Sequence, residues 1–367
     1  MELPYYKNNG ENEKLLKIIK RIDDLCKNQN NINKSNLYNE VNILVDQIFS
    51  QLDEIYNENP IQVKFVSELK LESKKLIKQD LNFILKSKKN EINYPKFFEL
   101  DLSSFSLFLI KFILKGKIKS LKKNVQLGYL KREDLSVNNG LHIFIVIILL
   151  NIEFNLRGVL NQLYKLKGVK MRVSGLALEL STPLLRWWEL EQKLDTPKTT
   201  YLHYDESIIH PKAITYLNKV DFNNGPFSVV ENTLEVLNIN YMQYVIGRVI
   251  GKIGRGDSDF AKNFNHKYHQ TFGCNLFKSL FEKLPYELKF NSHFGFDIKK
   301  GSSLEKYLIN NEIIFTGKPG KTIVFDGSSL LHRGGLIDKG QRIALQIVFQ
   351  EKESFFILKK LKNVIKK

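Results

Sequence analysis

GKTIVFDGSSLLHRGGLIDKGQRIALQIVF, residues Gly320 to Phe349, is the stretch from which the fold is read. Thr322 to Phe325 is an apolar strand-like run, and Asp326-Gly327-Ser328-Ser329 is a turn. His332 then stands before two glycines, and a second β-rich run begins at Arg342. Strand periodicity places Arg342, Ala344, Gln346 and Val348 on one face and Ile343, Leu345, Ile347 and Phe349 on the other. The second face is wholly apolar and must be buried. Arg342 therefore opens a packed strand, on the same side as an alanine small enough to leave space. A permanent charge in that position needs a carboxylate or phosphate partner.

The chain of 367 residues accommodates one large decorated domain or two domains. Hydrophobic content of 43% with 11% aromatic residues excludes a disordered chain. The formal charge of +17 fits an anionic substrate, a nucleic acid or an acidic membrane. The lysines are spread rather than blocked, and Lys, Asn and Ile are abundant together, so much of the excess is compositional. Cys26 and Cys274 give no disulfide framework and point to a reducing compartment. The N-terminal MELPYYKNNGENEK lacks an apolar signal core. The longest apolar run, Ile143 to Leu150, is shorter than a membrane span requires. A soluble, cytoplasmic protein is expected.

Residues 1–165 read as a helical region. Leu15, Ile18, Ile19 and Ile22 form one stripe, and Val41, Leu44, Val45, Ile48 and Phe49 form another. Asp101 to Lys117, DLSSFSLFLIKFILKGK, reads as a core helix with a solvated basic end, Ser103 or Ser104 being its cap. Ser136 to Leu166 reads as a second buried helix. After Gly168 the texture changes to short strand candidates: Met171 to Leu180, Thr199 to Asp205, Ala213 to Leu217, Phe227 to Val230 and Ile313 to Thr316. Thr322 to Phe325 and Arg342 to Phe349 complete the set. Helices interrupt them at Leu234 to Ile250, Asn275 to Leu284 and Leu304 to Asn310, the last behind a Ser302-x-x-Glu305 capping box. Many short strands with turn punctuation indicate a β-sandwich or jelly roll. Residues 353–367 form a basic amphipathic tail that docks on the domain or contacts an anionic membrane.

Tyr201 to Ser207 reads YLHYDES. In a strand, His203 and Asp205 emerge on one face. A neutral imidazole and a carboxylate supply two ligands of the 2-His-1-carboxylate set of non-haem iron(II) enzymes, and His332 supplies the third. Three ligands on one octahedral face leave room for a bidentate 2-oxo acid and dioxygen. Arg342 can then grip the far carboxylate with forked hydrogen bonds.

The order His203-x-Asp205, AITYLNKVDFNNGPFSVV at Ala213 to Val230, GKTIVFDGSSLLHRGG and QRIALQIVF resembles the phytanoyl-CoA dioxygenase family. The resemblance covers residues 170 to 350. It implies a double-stranded β-helix, a cupin-like jelly roll over residues 166–352; the long segment 234–312 between the ligands reads as a lid-like helical insertion. It implies Fe(II) held by His203, Asp205 and His332, with 2-oxoglutarate on Arg342 and dioxygen as co-substrate. The reaction implied is hydroxylation of an aliphatic C–H in a small or conjugated metabolite, with decarboxylation of 2-oxoglutarate to succinate. Halogenating relatives replace the carboxylate, so Asp205 favours hydroxylation. Tyr201, Ala344 and Thr199 are expected near the co-substrate. Glu231-Asn232-Thr233 departs from the usual Pro-Gly-Ser-His turn, so the substrate does not carry over.

In the insertion, GKIGRGDSDF lacks the Walker Lys-Ser pattern, and Lys252 and Arg255 are expected to meet an anionic substrate. His266 and His269 could share a helix face, but no carboxylate completes a second metal site with them. Arg186, Trp187 and Trp188 are expected to line the substrate pocket or the core. No aromatic–basic pattern for nucleic acid is present. The competing reading is a non-catalytic basic barrel that binds an anionic ligand, a membrane surface or nucleic acid. It has no use for a complete set of His203, Asp205, His332 and Arg342.

Overall fold

The computed structural model describes residues 10, 12–27, 34–87, 96–126, 132–135, 140–183, 198–253, 259–264 and 273–352. In chain order the elements are α1 (Glu13–Lys27), α2 (Lys34–Ile55), α3 (Pro60–Lys86), β1 (Phe97–Asp101), α4 (Ser104–Ile113), α5 (Lys115–Gln126) and β2 (Arg132–Leu135). They continue with α6 (Leu141–Leu156), α7 (Val159–Lys167), β3 (Met171–Ser181), β4 (Lys212–Tyr216) and β5 (Phe227–Val230). Then come α8 (Thr233–Val236), α9 (Tyr241–Ile253), α10 (Asp259–Phe264), α11 (Asn275–Glu282) and α12 (Ser303–Asn310). The last strands are β6 (Glu312–Phe315), β7 (Lys321–Phe325), β8 (Leu331–Gly334) and β9 (Arg342–Glu351). Two units form: Met1–Lys86, Thr196–Ser207 and Val230–Glu312 make the first, and Ser87–Asp195, Ile208–Val229 and Ile313–Lys367 the second.

The first unit is helical. The stripes expected on α1 and α2 are buried, with Leu15, Ile19, Ile22, Val41, Val45, Ile48 and Phe49 all at 2% exposure or less. In α12, the Ser302 side chain accepts the Glu305 N–H at 3.1 Å. The Glu305 carboxylate turns back to accept the Gly301 N–H at 2.6 Å, so the box closes one residue earlier than its usual form.

The second unit is built on sheets. A six-stranded antiparallel sheet runs in the order β1-β7-β4-β9-β3-β2, and a three-stranded sheet in the order β6-β5-β8. Between them lies a core of Ile214, Tyr216, Phe227, Phe315, Ile323, Phe325 and Ala344 among others. Alternate residues enter it, Ile214 and Tyr216 from β4, Phe227 and Val229 from β5, and Ile323 and Phe325 from β7. Among the described residues, the two sheets do not close into a barrel. The region 1–165, expected to be helical, contributes β1 and β2 at the edges of the large sheet. Each is only 4 or 5 residues long, too short for its period to register in the sequence.

The expected core helix at residues 101–117 is corrected. It breaks at Leu114, the C-cap of α4, and α5 continues beyond. Ser103 is the N-cap, its hydroxyl accepting the Ser106 N–H. The buried carboxylate of Glu153 on α6 accepts from the Ser103 N–H and from the hydroxyls of Ser103 and Ser106, at 2.8–2.9 Å. Polar satisfaction thus turns the serine side of α4 inward and leaves Phe105, Phe108 and Phe112 facing water. No single helix among the described residues is long and apolar enough to cross a membrane.

The turn before β8 is anchored by a buried ion pair. Lys167 Nζ donates to Asp326 Oδ2 at 2.5 Å and to Ile208 O at 2.9 Å. Ser328 and Ser329 hydroxyls donate to the same carboxylate. Burial raises the Asp326 pKa, but the Lys167 charge and these hydrogen bonds outweigh it, and the net direction is downward. The stability this contributes is complete above the ordinary aspartate value of 3.8 and is lost as pH falls below it. Lys167→Met is expected to destabilise the fold by roughly 3 kcal/mol at neutral pH, and by less in acid where Asp326 protonates. Urea titrations at pH 7 and pH 3 measure both. An equal loss at the two pH values would exclude the pair as the cause.

Candidate functional site

His203 and Asp205 belong to the first unit, but not to a strand as expected. Residues 198–201 form a turn, and Tyr201 sits at φ +70°, which breaks the extended run and leaves His203 in a single β-bridge. The short segment after it is held by the loop before α12. The Tyr204 N–H donates to Ser292 O at 2.9 Å, and the Gly295 N–H to Leu202 O at 3.2 Å. Thr199 Oγ1 donates to Gly295 O at 2.7 Å. Asp205 is 2% exposed.

The helices brace this loop. Arg248 on α9 is fully buried, and its Nε donates to Glu206 O at 2.8 Å, one residue beyond Asp205. Its two terminal nitrogens donate to Asp80 of α3 at 2.5 and 3.1 Å, a forked pair. Tyr244 stacks on the guanidinium, 4.8 Å from ring centroid to Cζ. Residues from the N-terminal helices thus fix the backbone beside the candidate carboxylate ligand.

The imidazole of His203 has a defined tautomer. Its Nδ1 lies 2.7 Å from Tyr201 O, and a carbonyl only accepts, so Nδ1 carries the proton. Nε2 then presents a lone pair, the arrangement a metal-ligating histidine needs. Tyr201, expected as a side-chain neighbour of the co-substrate, contributes this carbonyl. His293 stacks on His203 with ring centroids 4.8 Å apart and planes at 19°. Its own Nδ1 is 2.9 Å from Ser292 Oγ. The sequence carried no signal for this contact, because His293 lies in the insertion with no fixed spacing to His203.

His332 and Arg342 belong to the second unit. His332 is on β8, which follows the expected turn Asp326–Ser329 and is not among the expected strands. Its Nδ1 lies 2.9 Å from Leu330 O, which fixes the same tautomer and leaves Nε2 as the lone-pair nitrogen. The rings of Phe325 and Phe227 pack against it at 4.8 and 5.9 Å.

Arg342 opens β9, where Asn218 locks the chain: Asn218 Oδ1 accepts the Ile343 N–H at 2.6 Å, and its amide donates to Gln341 O at 2.8 Å. The guanidinium is buried, with 7% of the residue exposed. It donates to Gly225 O at 2.5 Å and to Ser181 Oγ at 3.3 Å, both neutral. Its Nε–H has no hydrogen-bond partner, and among the described residues no carboxylate pairs with it. Two glycines make room. Gly225 adopts φ +79°, and a Cβ on Gly334 would lie 2.7 Å from an Arg342 nitrogen. The Asn223-Asn224-Gly225-Pro226 loop is therefore a cradle for this arginine. Tyr216 lies nearby with its hydroxyl bonded to Phe315 O and the Phe227 N–H, and burial pushes its pKa up to about 12. Ala344 packs in the core between the sheets.

Lys252 is exposed and 3.7 Å from Glu72. Arg255, His266, His269, Arg186, Trp187, Trp188 and the tail 353–367 lie outside the described residues.

Solved structures with similarity to this chain include EctD from S. alaskensis with 2-oxoglutarate and 5-hydroxyectoine. It has 10% identity over 70% of this chain and 72% of that one, with a TM-score of 0.37. The non-heme alpha ketoglutarate dependent carbocyclase SnoK from nogalamycin biosynthesis has 12% identity over 74% and 82%, with a TM-score of 0.33. HygX from Streptomyces hygroscopicus with nickel and 2-oxoglutarate has 11% identity over 70% and 83%, with a TM-score of 0.34. No protein-family profile matches the chain. No curated protein sequence matches it.

Proposed function

We propose that this chain is an iron(II)- and 2-oxoglutarate-dependent oxygenase. In this reading His203, Asp205 and His332 hold the metal, Arg342 binds the far carboxylate of 2-oxoglutarate, and dioxygen is the co-substrate. The observation that carries the reading is the state of Arg342. A buried guanidinium with two neutral acceptors and an idle Nε–H is costly until an anion reaches it. A carboxylate takes up that fork with the geometry only arginine offers.

The donor chemistry supports the metal. One unit supplies an imidazole and a carboxylate, His203 and Asp205, and the other supplies the His332 imidazole. Both imidazoles carry their proton on Nδ1 and present Nε2. Two neutral nitrogens and one carboxylate form the donor set that leaves iron(II) with open positions. When bound, iron(II) couples dioxygen activation to decarboxylation of 2-oxoglutarate, giving succinate, carbon dioxide and one oxygen atom for the substrate. The protein's part is to orient: Arg342 fixes the co-substrate by its remote end, and the loop and strand backbones fix the two tautomers. With a carboxylate at 205, the outcome we propose is hydroxylation of an aliphatic C–H in a small or conjugated metabolite. The two sheets and their shared core support a jelly-roll architecture.

The test is anaerobic loading with Fe(II), calorimetric titration with 2-oxoglutarate, and succinate assay in a metabolite extract on admitting air. Binding and iron-dependent succinate are expected. Arg342→Met should weaken 2-oxoglutarate binding about 100-fold, the worth of a charge-assisted pair, while leaving the thermal midpoint unchanged or higher. Unchanged affinity in Arg342→Met, or no 2-oxoglutarate binding by the native chain, would sink the assignment.

A further inference from the structure

The second unit carries an apolar surface that its own core does not use. On α4, Phe105, Phe108 and Phe112 are 68%, 64% and 67% exposed, at the spacing that stacks them along one side of the helix. The rings of Phe108 and Phe112 touch each other, 6.2 Å between centroids. On α6, Leu141, Ile145, Ile148, Ile152 and Leu156 are exposed and fall on a single stripe. The two helices are neighbours, joined where Ser103 and Ser106 meet Glu153. In water, such stripes are ordinarily Lys, Glu or Gln. Three phenylalanine rings at two-thirds exposure already amount to about 400 Å², the scale of a functional patch on a monomer.

The opposite side of α6 shows why the stripe does not simply turn inward. Ile143, Val146, Ile147, Leu150 and Phe154 are already buried on the sheet. Asn151 bonds both the N–H and the C=O of Val173 on β3. Phe154 packs on Phe349 of β9. The helix therefore carries an apolar stripe on its outer side as well as on the side packed against the sheet. At 16 residues it is about 24 Å long, short of a hydrocarbon core, and it is tied to β3 by hydrogen bonds.

Charge identifies the second partner. α5 follows α4 directly and reads KGKIKSLKKNVQ, with five lysines and no acid. Lys115, Lys119 and Lys123 are exposed at four-residue spacing, and Lys111 is exposed in the last turn of α4. Among the described residues, Lys117 is the one lysine of α5 with a carboxylate partner, Glu133, at 2.6 Å. A second copy of the same face would bring these like charges together. An anionic bilayer instead neutralises them while its acyl boundary takes up the phenylalanine and isoleucine side chains.

We propose that α4, α5 and the outer stripe of α6 form a docking face for the surface of an anionic phospholipid membrane, with the aromatic side entering the headgroup boundary. The proposal does not depend on the oxygenase reading.

The test is flotation of the full-length protein with phosphatidylcholine vesicles, with and without about 30 mol% phosphatidylserine. Recovery with the anionic vesicles is expected, and it should fall at high salt. A variant carrying Phe105→Gln, Phe108→Gln and Phe112→Gln should lose roughly tenfold in partitioning, as should Ile148→Gln with Ile152→Gln. Circular dichroism checks that both remain folded, which exposed positions permit. Equal recovery on neutral and anionic vesicles, or unchanged partitioning in both variants, overturns the proposal. A dimer in free solution that the triple variant converts to monomer would also overturn it, assigning the face to a second copy.

Discussion

Asp205→Ala and His332→Ala are expected to lower succinate formation about a thousand-fold and to abolish iron-dependent stabilisation. The two effects come from one cause. A ligand set that binds the native chain and not the unfolded one adds stability by mass action, about 2.7 kcal/mol at a hundredfold excess over its Kd. In the native chain, anaerobic Fe(II) should therefore raise the melting midpoint, and in either variant it should not. Arg342→Met separates the functions: iron still stabilises it, while 2-oxoglutarate no longer adds a further increment. Native-like turnover in Asp205→Ala, or metal-linked stabilisation that persists in both ligand variants, would place the metal elsewhere.

The second large effect is one of stability. Asp80→Ala is expected to destabilise the first unit by about 3–5 kcal/mol, because it strands a guanidinium that is 0% exposed. A natural domain holds only roughly 5–15 kcal/mol in total, so the variant stands near the edge of folding at 37 °C. The double variant Asp80→Leu with Arg248→Met should recover much of the loss, since removing both charges also removes the penalty of burying them. Because Arg248 Nε also holds Glu206 O, recovery of stability in the double variant should not restore full turnover. Thermal and urea melts read the first effect, and succinate formation reads the second. A loss below about 1 kcal/mol in Asp80→Ala would mean water reaches the pair.

How much was legible in the sequence follows a physical line. The apolar faces of α1, α2 and β9 could be read because burial imposes a period on residues close in the chain. Arg342 could be read for the complementary reason: a charge opening a wholly apolar strand has to be explained. His203 and Asp205 could be read as a pair, but their strand could not hold, since Tyr201 enters the left-handed region and no sequence rule reports that. β8 was missed because its four residues include His332, Arg333 and Gly334, none a strand former. The outward turn of the α4 phenylalanines was illegible too. It depends on Glu153, some fifty residues away, claiming the serine side. Long-range polar pairs of this kind leave no local period.

One topological feature bears on how the chain reaches this state at all. β9, residues Arg342–Glu351, sits between β4 and β3, pairing with β3 from end to end and with β4 over Ala344–Val348. β7, only slightly earlier in the chain, is what joins β1 to β4. Until these late segments leave the ribosome, β4 lacks both its neighbours in the sheet and β3 lacks one of its two. The complete order of the large sheet therefore depends on its last strands, and the setting of Arg342 is completed only with β9.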